Sequence, residues 1–275
     1  MSVANFIPEI TRAEVQVAYD REKVVIATFT AIPDGEIKTG NAVKIFNAGL
    51  PTVQDYAAQG RSFTSEEIEA TEVTVLIDQE KATSQKVDDI DRRQAAGSLT
   101  QFTDQQGVAL ARDAERFAIA TLLAGGTQGS SATLDTAAKI KTALRKLAAD
   151  FDAAEVPEMG RIALLNPTAK ALLVEALGDS TGIQSNGTEL RTNQVSVFAG
   201  FDVIWSPHFA EKSAAVVVAY HTGAAAFAAQ IAETQGSRPS GSFSDVISSL
   251  NVYGSKVTRP AAVIIAGIVA APVAP

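Results

Sequence analysis

The chain has 275 residues, of which 46% are hydrophobic and 20% are charged. This balance is typical of a globular protein that buries a core and excludes wholesale disorder. The net charge of −8 and the lack of a basic cluster argue against a strong direct grip on nucleic acid, and the absence of cysteine excludes disulfides, thiolate nucleophiles and Cys-based zinc sites.

The first part of the chain favours extended structure. Residues 1–40 are predicted to form an extended arm, because "KVVIATFT" at 23–30 is rich in strand-forming residues and "IPDGE" at 32–36 is a strong turn signal. The start of the chain has Glu9 and no basic-then-apolar run, so it does not have the pattern of a secretory signal.

A long β-hairpin is predicted next. Residues 41–46 and 71–86 alternate between apolar and polar side chains, which indicates an outgoing and a return strand with a tip at 50–68. A two-stranded ribbon is only marginally stable alone in water. Nothing later in the sequence is an obvious cover for it, so the pattern suggests that the ribbon lies on another subunit.

The segment "VDDID" at 87–91 carries three carboxylates. These acidic side chains are predicted to begin a helix, where they complement its dipole, or to pair with Arg92 and Arg93 or with a neighbouring chain. Calcium binding is the less favoured alternative, because the segment lacks the Asp-x-Asp-x-Asp-Gly spacing of a calcium loop.

The middle of the chain is predicted to be mainly helical. Helices are expected over 99–126 and 135–152, and a buried strand at 161–167 leads into a further helix that Asn166 caps. The Gly-rich stretch at 124–133 is predicted to connect two helices, since it lacks the lysine of a phosphate loop. The apolar stripes of the first two helices are Leu110, Ala114, Phe117 and Thr121, and Ile140, Leu144, Leu147 and Phe151.

The last third alternates between strand and turn patterns, so the fold class is α+β, with strands at both ends and helices in the middle. Residues 261–271 form an apolar run that is too short to span a bilayer and is predicted to be a buried strand. His208 and His221 each stand alone, without a second histidine or a carboxylate at ligand spacing. No catalytic, metal-binding or cofactor-binding residue is assigned, and no cofactor is expected.

The order of these elements resembles that of the tailed-bacteriophage major capsid proteins with the Hong Kong 97-type fold. The most specific pieces are residues 77–94, "GFDVIWS" at 200–206 and "VYGSKVTRP" at 252–260. The resemblance covers nearly the whole chain and rests on order and spacing rather than on one invariant signature.

The resemblance implies a division of the chain into four parts. Residues 1–40 would be an N-terminal arm, and 41–84 an extended β-hairpin loop that lies across a neighbouring subunit. Residues 85–130 and 252–275 would form a peripheral domain with a long spine helix. Residues 131–251 would form an axial domain.

The function implied is structural: a major capsid protein, not an enzyme, that assembles with copies of itself into an icosahedral shell of pentamers and hexamers around double-stranded DNA. Scaffolding, portal and decoration proteins are further expected partners, and no membrane is involved. Its place would be the virion, assembled in the host bacterial cytoplasm. An encapsulin-type shell around an enzyme cargo is the alternative within the fold, and a soluble α+β enzyme is the alternative outside it.

Contacts between subunits are predicted along the returning arm of the hairpin and at its tip, where charges alternate in sign. Some members of the family that the chain resembles crosslink through a loop lysine, but the tip at 50–68 contains no lysine. The predicted contact residues are Arg61, Glu66, Asp78, Glu80, Lys81, Asp88, Asp89, Asp91, Arg92 and Arg93.

Overall fold

The computed structural model of the chain describes residues 15–32, 42–48, 52–58, 60–62, 65, 67, 70–88, 100–178, 196–239, 241 and 243–267. The helices are α1 over 15–22, α2 Thr100–Gly125, α3 Ala137–Ala153 and α4 Pro167–Gly178. The strands are β1 Thr30–Ala31, β2 Ala42–Ala48, β3 Ala70–Leu76, β4 Gln79–Asp88, β5 Thr127–Ser130, β6 Arg161–Leu165, β7 Val197–Phe198, β8 Phe201–Trp205, β9 Val217–His221, β10 Ala225–Ser237, β11 Ser244–Val257 and β12 Val263–Ala266. The predicted α+β class is confirmed.

A six-stranded sheet with the order β5-β12-β9-β6-β8-β7 forms one centre of the molecule. Its central strands are mostly apolar and almost entirely buried, because both of their faces are covered by helices. Ile162 and Leu164 of β6 pack on the side of α2, whereas Ala163 and Leu165 pack on the side of α3 and α4. The buried strand predicted at 261–271 is confirmed for Val263–Ala266, whereas Pro260–Ala262 form a 3-10 turn and residues 268–271 lie outside the described residues.

Helices α3 and α4 form where the sequence predicts them, because both the apolar stripe and the caps are local signals. The stripe of α3 is buried at all four predicted positions. The side chain of Thr136 accepts a hydrogen bond from the backbone of Lys139, and Asn166 Oδ1 accepts one from Ala169 at 2.9 Å. Asn166 also donates to the carbonyl of Ala214 at 2.6 Å, so one residue caps α4 and ties it to the strand β9 entry.

A four-stranded sheet with the order β1-β10-β11-β4 forms the second centre, and α2 packs against both sheets. The helix is 26 residues long, which corresponds to roughly 39 Å. Near its start, the buried Gln106 donates to the carbonyl of Ile247 at 3.0 Å and accepts from Ser249 Oγ at 2.9 Å. Farther along, Tyr253 donates to Asp113 at 2.8 Å. The long helix was predicted, but its buried polar contacts were not.

The hairpin of β2 and β3 is confirmed, with Val43 opposite Val75 and Ile45 opposite Val73. The expectation that the return strand continues to residue 86 beside its partner is wrong. The strand is interrupted after Leu76, and β4 then pairs antiparallel with β11 of the same chain. The return arm is therefore partly covered within the subunit, and a second subunit is not needed to cover β4.

The expectation of an extended arm over 1–40 is wrong for residues 15–22, which are helical. The predicted strand at 23–30 is instead a 3-10 turn, Ile26–Thr28, followed by the short β1. The reason is a long-range contact: Glu115 of α2 accepts hydrogen bonds from the backbone N–H groups of this segment. Because these N–H groups donate to Glu115, they do not donate to a neighbouring strand.

The structure differs from three further expectations. The Gly-rich connection at 124–133 contains strand β5, which pairs in parallel with β12. Val87 and Asp88 of the "VDDID" segment lie in β4 rather than in a helix, because they pair with Asp245 and Ser244. The expected domain boundary at 251/252 falls inside the single strand β11.

Candidate intersubunit surface

The inner face of the β2–β3 hairpin packs on the subunit's own four-stranded sheet. Val75 and Ile77 are buried there against Ala226, Ala228 and Val252. The alternation of the strand explains this burial, since every second side chain points the same way. The base of the hairpin is thus a fixed part of the subunit rather than a free ribbon.

Specific contacts set the direction in which the hairpin leaves the body. Asn47 Nδ2 donates to the carbonyl of Thr258 at 2.9 Å. At Gly254, a Cβ atom would lie 1.9 Å from the carbonyl oxygen of Leu76, so only glycine allows the hairpin to approach β11 this closely. Lys256 Nζ also donates to the carbonyl of Thr74 at 3.1 Å.

The outer face of the hairpin carries two large apolar side chains in solvent. Phe46 is 66% exposed and Leu76 is 53% exposed. Between them lies an ion pair of Lys44 and Glu72, whose nitrogen and oxygen are 2.6 Å apart. Lys44 separates the two along the hairpin, and large apolar side chains exposed beside charges on one face are typical of a surface that another protein covers.

The tip of the hairpin contains a turn that its own side chains stabilise. Asp55 Oδ1 accepts from the backbone of Ala57 at 3.0 Å and of Ala58 at 3.1 Å. The backbone N–H of Arg61 donates to the carbonyl of Tyr56 at 2.9 Å, and Arg61 has the left-handed φ of 62°. Val53, at 96%, is almost fully exposed beside this turn.

The structure places the predicted contact residues at two locations. Arg61 lies at the hairpin tip, whereas Asp78, Glu80, Lys81 and Asp88 follow one another along β4 and its start. Strand β4 is the edge of its sheet, so its charges border a surface open to other chains.

Neighbouring residues of β4 do not share a face, and this divides the predicted charges. Asp78 and Glu80 point outward with Lys86, which the sequence interpretation missed, whereas Lys81 is half-buried on the opposite face. Asp78 Oδ1 accepts a hydrogen bond from Gln79 at 3.1 Å. The outer face is therefore acidic at the start of the strand, and near its end Lys86 is followed by Asp88 on the same alternation. Outside the described residues lie Glu66, Asp89, Asp91, Arg92 and Arg93.

The exposed apolar residues Phe46 and Leu76 were also missed by the sequence interpretation. A signal for both was present, since each is a large apolar side chain in the polar phase of an alternating strand. Charged side chains are a weaker signal than these two, because charge marks many solvated surfaces.

Both histidines are surrounded by other groups of the subunit. His221 Nδ1 accepts from the backbone of Gly223 at 3.0 Å, and its Nε2 lies 2.9 Å from the carbonyl of Met159. Burial lowers the pKa of His208, and the nearby Arg116 and Arg112 lower it further.

The described residues also bear on metal sites and on membrane-spanning helices. In that part of the chain, no three His, Asp or Glu side chains are grouped so that they could hold a metal ion. None of the described helices combines the length and the apolar character that crossing a membrane requires.

The comparisons with known proteins agree with this architecture. A solved chain of Mycobacterium phage Che8 is 33% identical, with a TM-score of 0.75, and the match covers 88% of this chain and 90% of that one. The capsid structure of cyanophage P-SCSP1u is 17% identical, with a TM-score of 0.71 and coverage of 87% and 86%. The virus-like particle from Pyrococcus furiosus is 13% identical, with a TM-score of 0.63 and coverage of 94% and 99%, which shows a shared fold alone. A comparison with functionally curated proteins gives no significant match.

Fold and surface together define a subunit of a capsid shell, with a hairpin that projects from a two-sheet body. The family model for phage capsid protein matches residues 72–266, and the chain belongs to that family. It is a major capsid protein of the tailed-phage type, a structural protein of the virion, with the Hong Kong 97-type fold. The encapsulin alternative has no better support from these comparisons.

Proposed function

We propose that this subunit assembles with copies of itself into pentamers and hexamers by laying the outer face of its β2–β3 hairpin on a neighbouring subunit. The observation that carries this proposal is the pair of exposed side chains Phe46 and Leu76 on a hairpin whose inner face is already buried. The hairpin is buried on one side and exposes two large apolar side chains on the other, so its outer face is available for a second subunit.

The closed icosahedral shell would enclose double-stranded DNA, and assembly would take place in the host cytoplasm. The net charge of −8 supports enclosure without tight binding, since a polyanion is repelled by an acidic wall. No enzymatic step is part of this role. Scaffolding, portal and decoration proteins would act on the assembled shell or during its formation.

We propose two domains, each built around one of the two larger sheets. The six-stranded sheet with α3 and α4 would be the axial domain, and the four-stranded sheet with α2 would be the peripheral domain. The hairpin of β2 and β3 would be the extended loop.

The charged outer face of β4 is proposed as a second contact. It is acidic at Asp78 and Glu80 and ends near Lys86, so a neighbouring copy could meet it with opposite charges. Each exposed pair would contribute less than about 1 kcal/mol, but a shell repeats the contact many times.

The test is electron microscopy of the purified protein, with the double variant Phe46→Ser/Leu76→Ser beside the parent chain. We expect shells from the parent and folded, unassembled subunits from the double variant. Lys44→Ser is the matched control, because it changes an exposed residue of the same face without removing apolar area, and it should still give shells. Normal shells from the double variant would refute the hairpin contact, and a parent chain that stays monomeric under all assembly conditions would refute the shell function.

A further inference from the structure

Among the described residues of helix α2, the exposed side is charged only by arginine. Arg112 and Arg116 are exposed and stand one helical turn apart. Asp113 is instead half-buried and accepts a hydrogen bond from Tyr253, and Glu115 is buried. The remaining exposed positions in the described part of α2 carry no charge, and they are Gln105, Ala109 and Ala124. This side of the helix is therefore positive, although the chain as a whole is acidic.

The loop after strand β8 adds a third positive charge to this side of the subunit. Lys212 is exposed on the loop, and the hydroxyl of Thr168 in α4 fixes its backbone by donating to the Lys212 carbonyl at 2.6 Å. Burial lowers the pKa of His208, and the charges of Arg116, Arg112 and Lys212 lower it further, so all three act on one imidazole. Two elements that are far apart in the sequence thus form one basic patch, which consists of Arg112, Arg116 and Lys212.

Few negative charges oppose the basic patch. Glu22 faces Arg112, but the oxygen and nitrogen are 3.9 Å apart and 51% of the arginine side chain is exposed. Glu211 turns back into its own loop, where it accepts hydrogen bonds from backbone N–H groups at 2.8 and 3.0 Å. Within the part of the chain that the structure describes, Arg116 and Lys212 form no ion pair. These charges are therefore available to an anionic partner.

The surroundings of the basic patch suit duplex DNA better than a protein partner. Interfaces between proteins have an apolar centre, whereas protein–DNA interfaces are more polar and more positive. Here the exposed neighbours on α2 are small or polar, and the two arginines lie roughly 6 Å apart along the helix axis. An arginine fork matches the geometry of a phosphate group, and the small Ala109, one turn away, leaves room for a sugar–phosphate backbone.

We propose that the basic patch contacts the phosphate backbone of duplex DNA and marks the side of the subunit that faces the enclosed genome. This inference rests on the proposed shell function, because it names the surface that meets the DNA. Three charges give only a weak contact for one subunit, in agreement with a net charge of −8 and with enclosure without tight binding. A shell repeats the contact at every subunit, so weak contacts add up.

The test is a titration of a short, fluorescently labelled DNA duplex with the unassembled full-length chain, followed by fluorescence anisotropy. It is run at several salt concentrations between about 50 and 200 mM, at protein concentrations where light scattering detects no assembly. Each lost phosphate contact should make the slope of log affinity against log salt shallower by about 0.9. We therefore expect a change of about 1.8 for Arg112→Ala/Arg116→Ala and of about 0.9 for Lys212→Ala.

Arg145→Ala/Lys146→Ala is the matched control. It removes two exposed positive charges from helix α3, so it changes the net charge equally but leaves the basic patch intact. Its slope should equal that of the parent chain. The two histidines give a local readout, since His208 lies beside the patch and His221 ends strand β9. We expect DNA to shift the imidazole NMR signals of His208 and to leave those of His221 unchanged.

Four outcomes would overturn the proposal. These are no duplex binding by the parent chain, an unchanged slope in the arginine double variant, an equal change in the control, or displacement of the duplex by polyglutamate at equal charge concentration. The last outcome would assign the patch to an acidic protein segment, such as the start of β4 in a second copy.

Circular dichroism spectra and melting curves equal to those of the parent chain establish that each variant is folded before titration. The titration uses unassembled subunits, whereas the shell function is tested by electron microscopy of assembled protein. Shells that form from a chain without duplex binding would refute the basic patch alone. Duplex binding by a chain that never forms shells would refute the shell function alone.

Discussion

The carboxylate of Glu115 lies 3.0 and 3.1 Å from the backbone nitrogen of Val25, at a position where only 1% of the glutamate is exposed. Its Oε1 also accepts from the backbone of Val24 at 2.9 Å and of Ile26 at 3.1 Å. One side chain of the long helix therefore caps three consecutive donors of the N-terminal segment. Next to it, Thr28 Oγ1 is 2.6 Å from the hydroxyl of Tyr220, which ties the same segment to β9.

Replacing Glu115 should release this segment from the helix. In Glu115→Ala, three N–H groups, two of them buried, lose their acceptor, and we expect the free energy of unfolding to fall by about 3 kcal/mol. Glu115→Gln keeps one acceptor oxygen and should lose about half as much. Urea unfolding of the unassembled subunits measures both. An alanine variant as stable as the parent would contradict the capping role.

The same carboxylate should make stability depend on pH. Burial raises the pKa of Glu115 above its usual value of 4.5, although the three backbone N–H groups and Lys23 act in the opposite direction. Since the folded state holds the proton more tightly than the unfolded state, the stabilisation from proton binding is fully present below pH 4.5 and is lost as the pH rises through the raised pKa. The stability of the parent relative to Glu115→Gln should therefore increase on acidification across this window. A pH-independent difference in urea unfolding would argue against it.

These contacts show why part of the fold was beyond sequence interpretation. The stripe of α3 and the Asn166 cap of α4 are local signals, and both were predicted correctly. Glu115 and its partners are separated by 89 to 91 positions, so the segment at 23–30 kept the pattern of a strand although its donors are bound elsewhere. Alternation likewise predicted the strands β3 and β4, but it contains no information on which partner each strand selects.

The candidate surface was likewise predictable from local signals but not from long-range contacts. Alternation predicted the hairpin and placed Val75 on the face opposite Leu76, and the structure confirms both. It could not show that the hairpin packs on its own sheet, because Gly254 and Val252 lie far away in the sequence. Once that packing is known, Phe46 and Leu76 stand out as the uncovered residues.

Arg161 should be a second buried anchor, this time of the six-stranded sheet. Its side chain is 5% exposed, and it donates to Asp152 at 2.6 Å and to the carbonyl of Pro157 at 3.0 Å, with its guanidinium over the ring of Phe151. We expect Arg161→Met to lower the free energy of unfolding by about 1–3 kcal/mol, because the part-buried carbonyl groups of Val156 and Pro157 lose their donor.

The matched control is Asp152→Asn. The Asp152 side chain is 64% exposed, so its loss of charge should cost less than about 1 kcal/mol. Thermal or urea unfolding of the two variants in parallel checks the pair. Equal losses would mean that the ion pair, rather than the carbonyl contacts, provides the stabilisation.

The outer face of β4 can be tested by reversing its acidic end. Asp78→Lys/Glu80→Lys changes two exposed charges at a sheet edge, so the subunit should fold with nearly unchanged stability. We expect the yield of shells to fall, more strongly at low salt than at high salt, because exposed charges are screened by ions. Ala82→Lys adds a positive charge on the same face without removing an acid and should lower the yield less. Sedimentation of assembled against free subunits measures the effect, and an unchanged yield from the double variant would remove this face from the contact.

Gly254 allows the hairpin to lie against β11, and Gly254→Ala tests whether assembly depends on that contact. The added Cβ would lie 1.9 Å from the carbonyl oxygen of Leu76, which is backbone and can give way only if the hairpin moves off β11. We expect a loss of about 1–3 kcal/mol from overpacking, and a loss of shells because the outer face with Phe46 is displaced.

Gly236→Ala is the control for that variant. It lies in β10 of the same sheet, where an added Cβ would have nothing within 4 Å, so stability should stay within about 0.5 kcal/mol and shells should form. Electron microscopy gives the shell yield, and amide hydrogen exchange at β2 and β3 reports whether the hairpin has separated from the sheet. Faster exchange in β2 and β3 together with lost assembly is the expected result for Gly254→Ala. Normal shells despite faster exchange would show that the subunit assembles without a rigidly fixed hairpin.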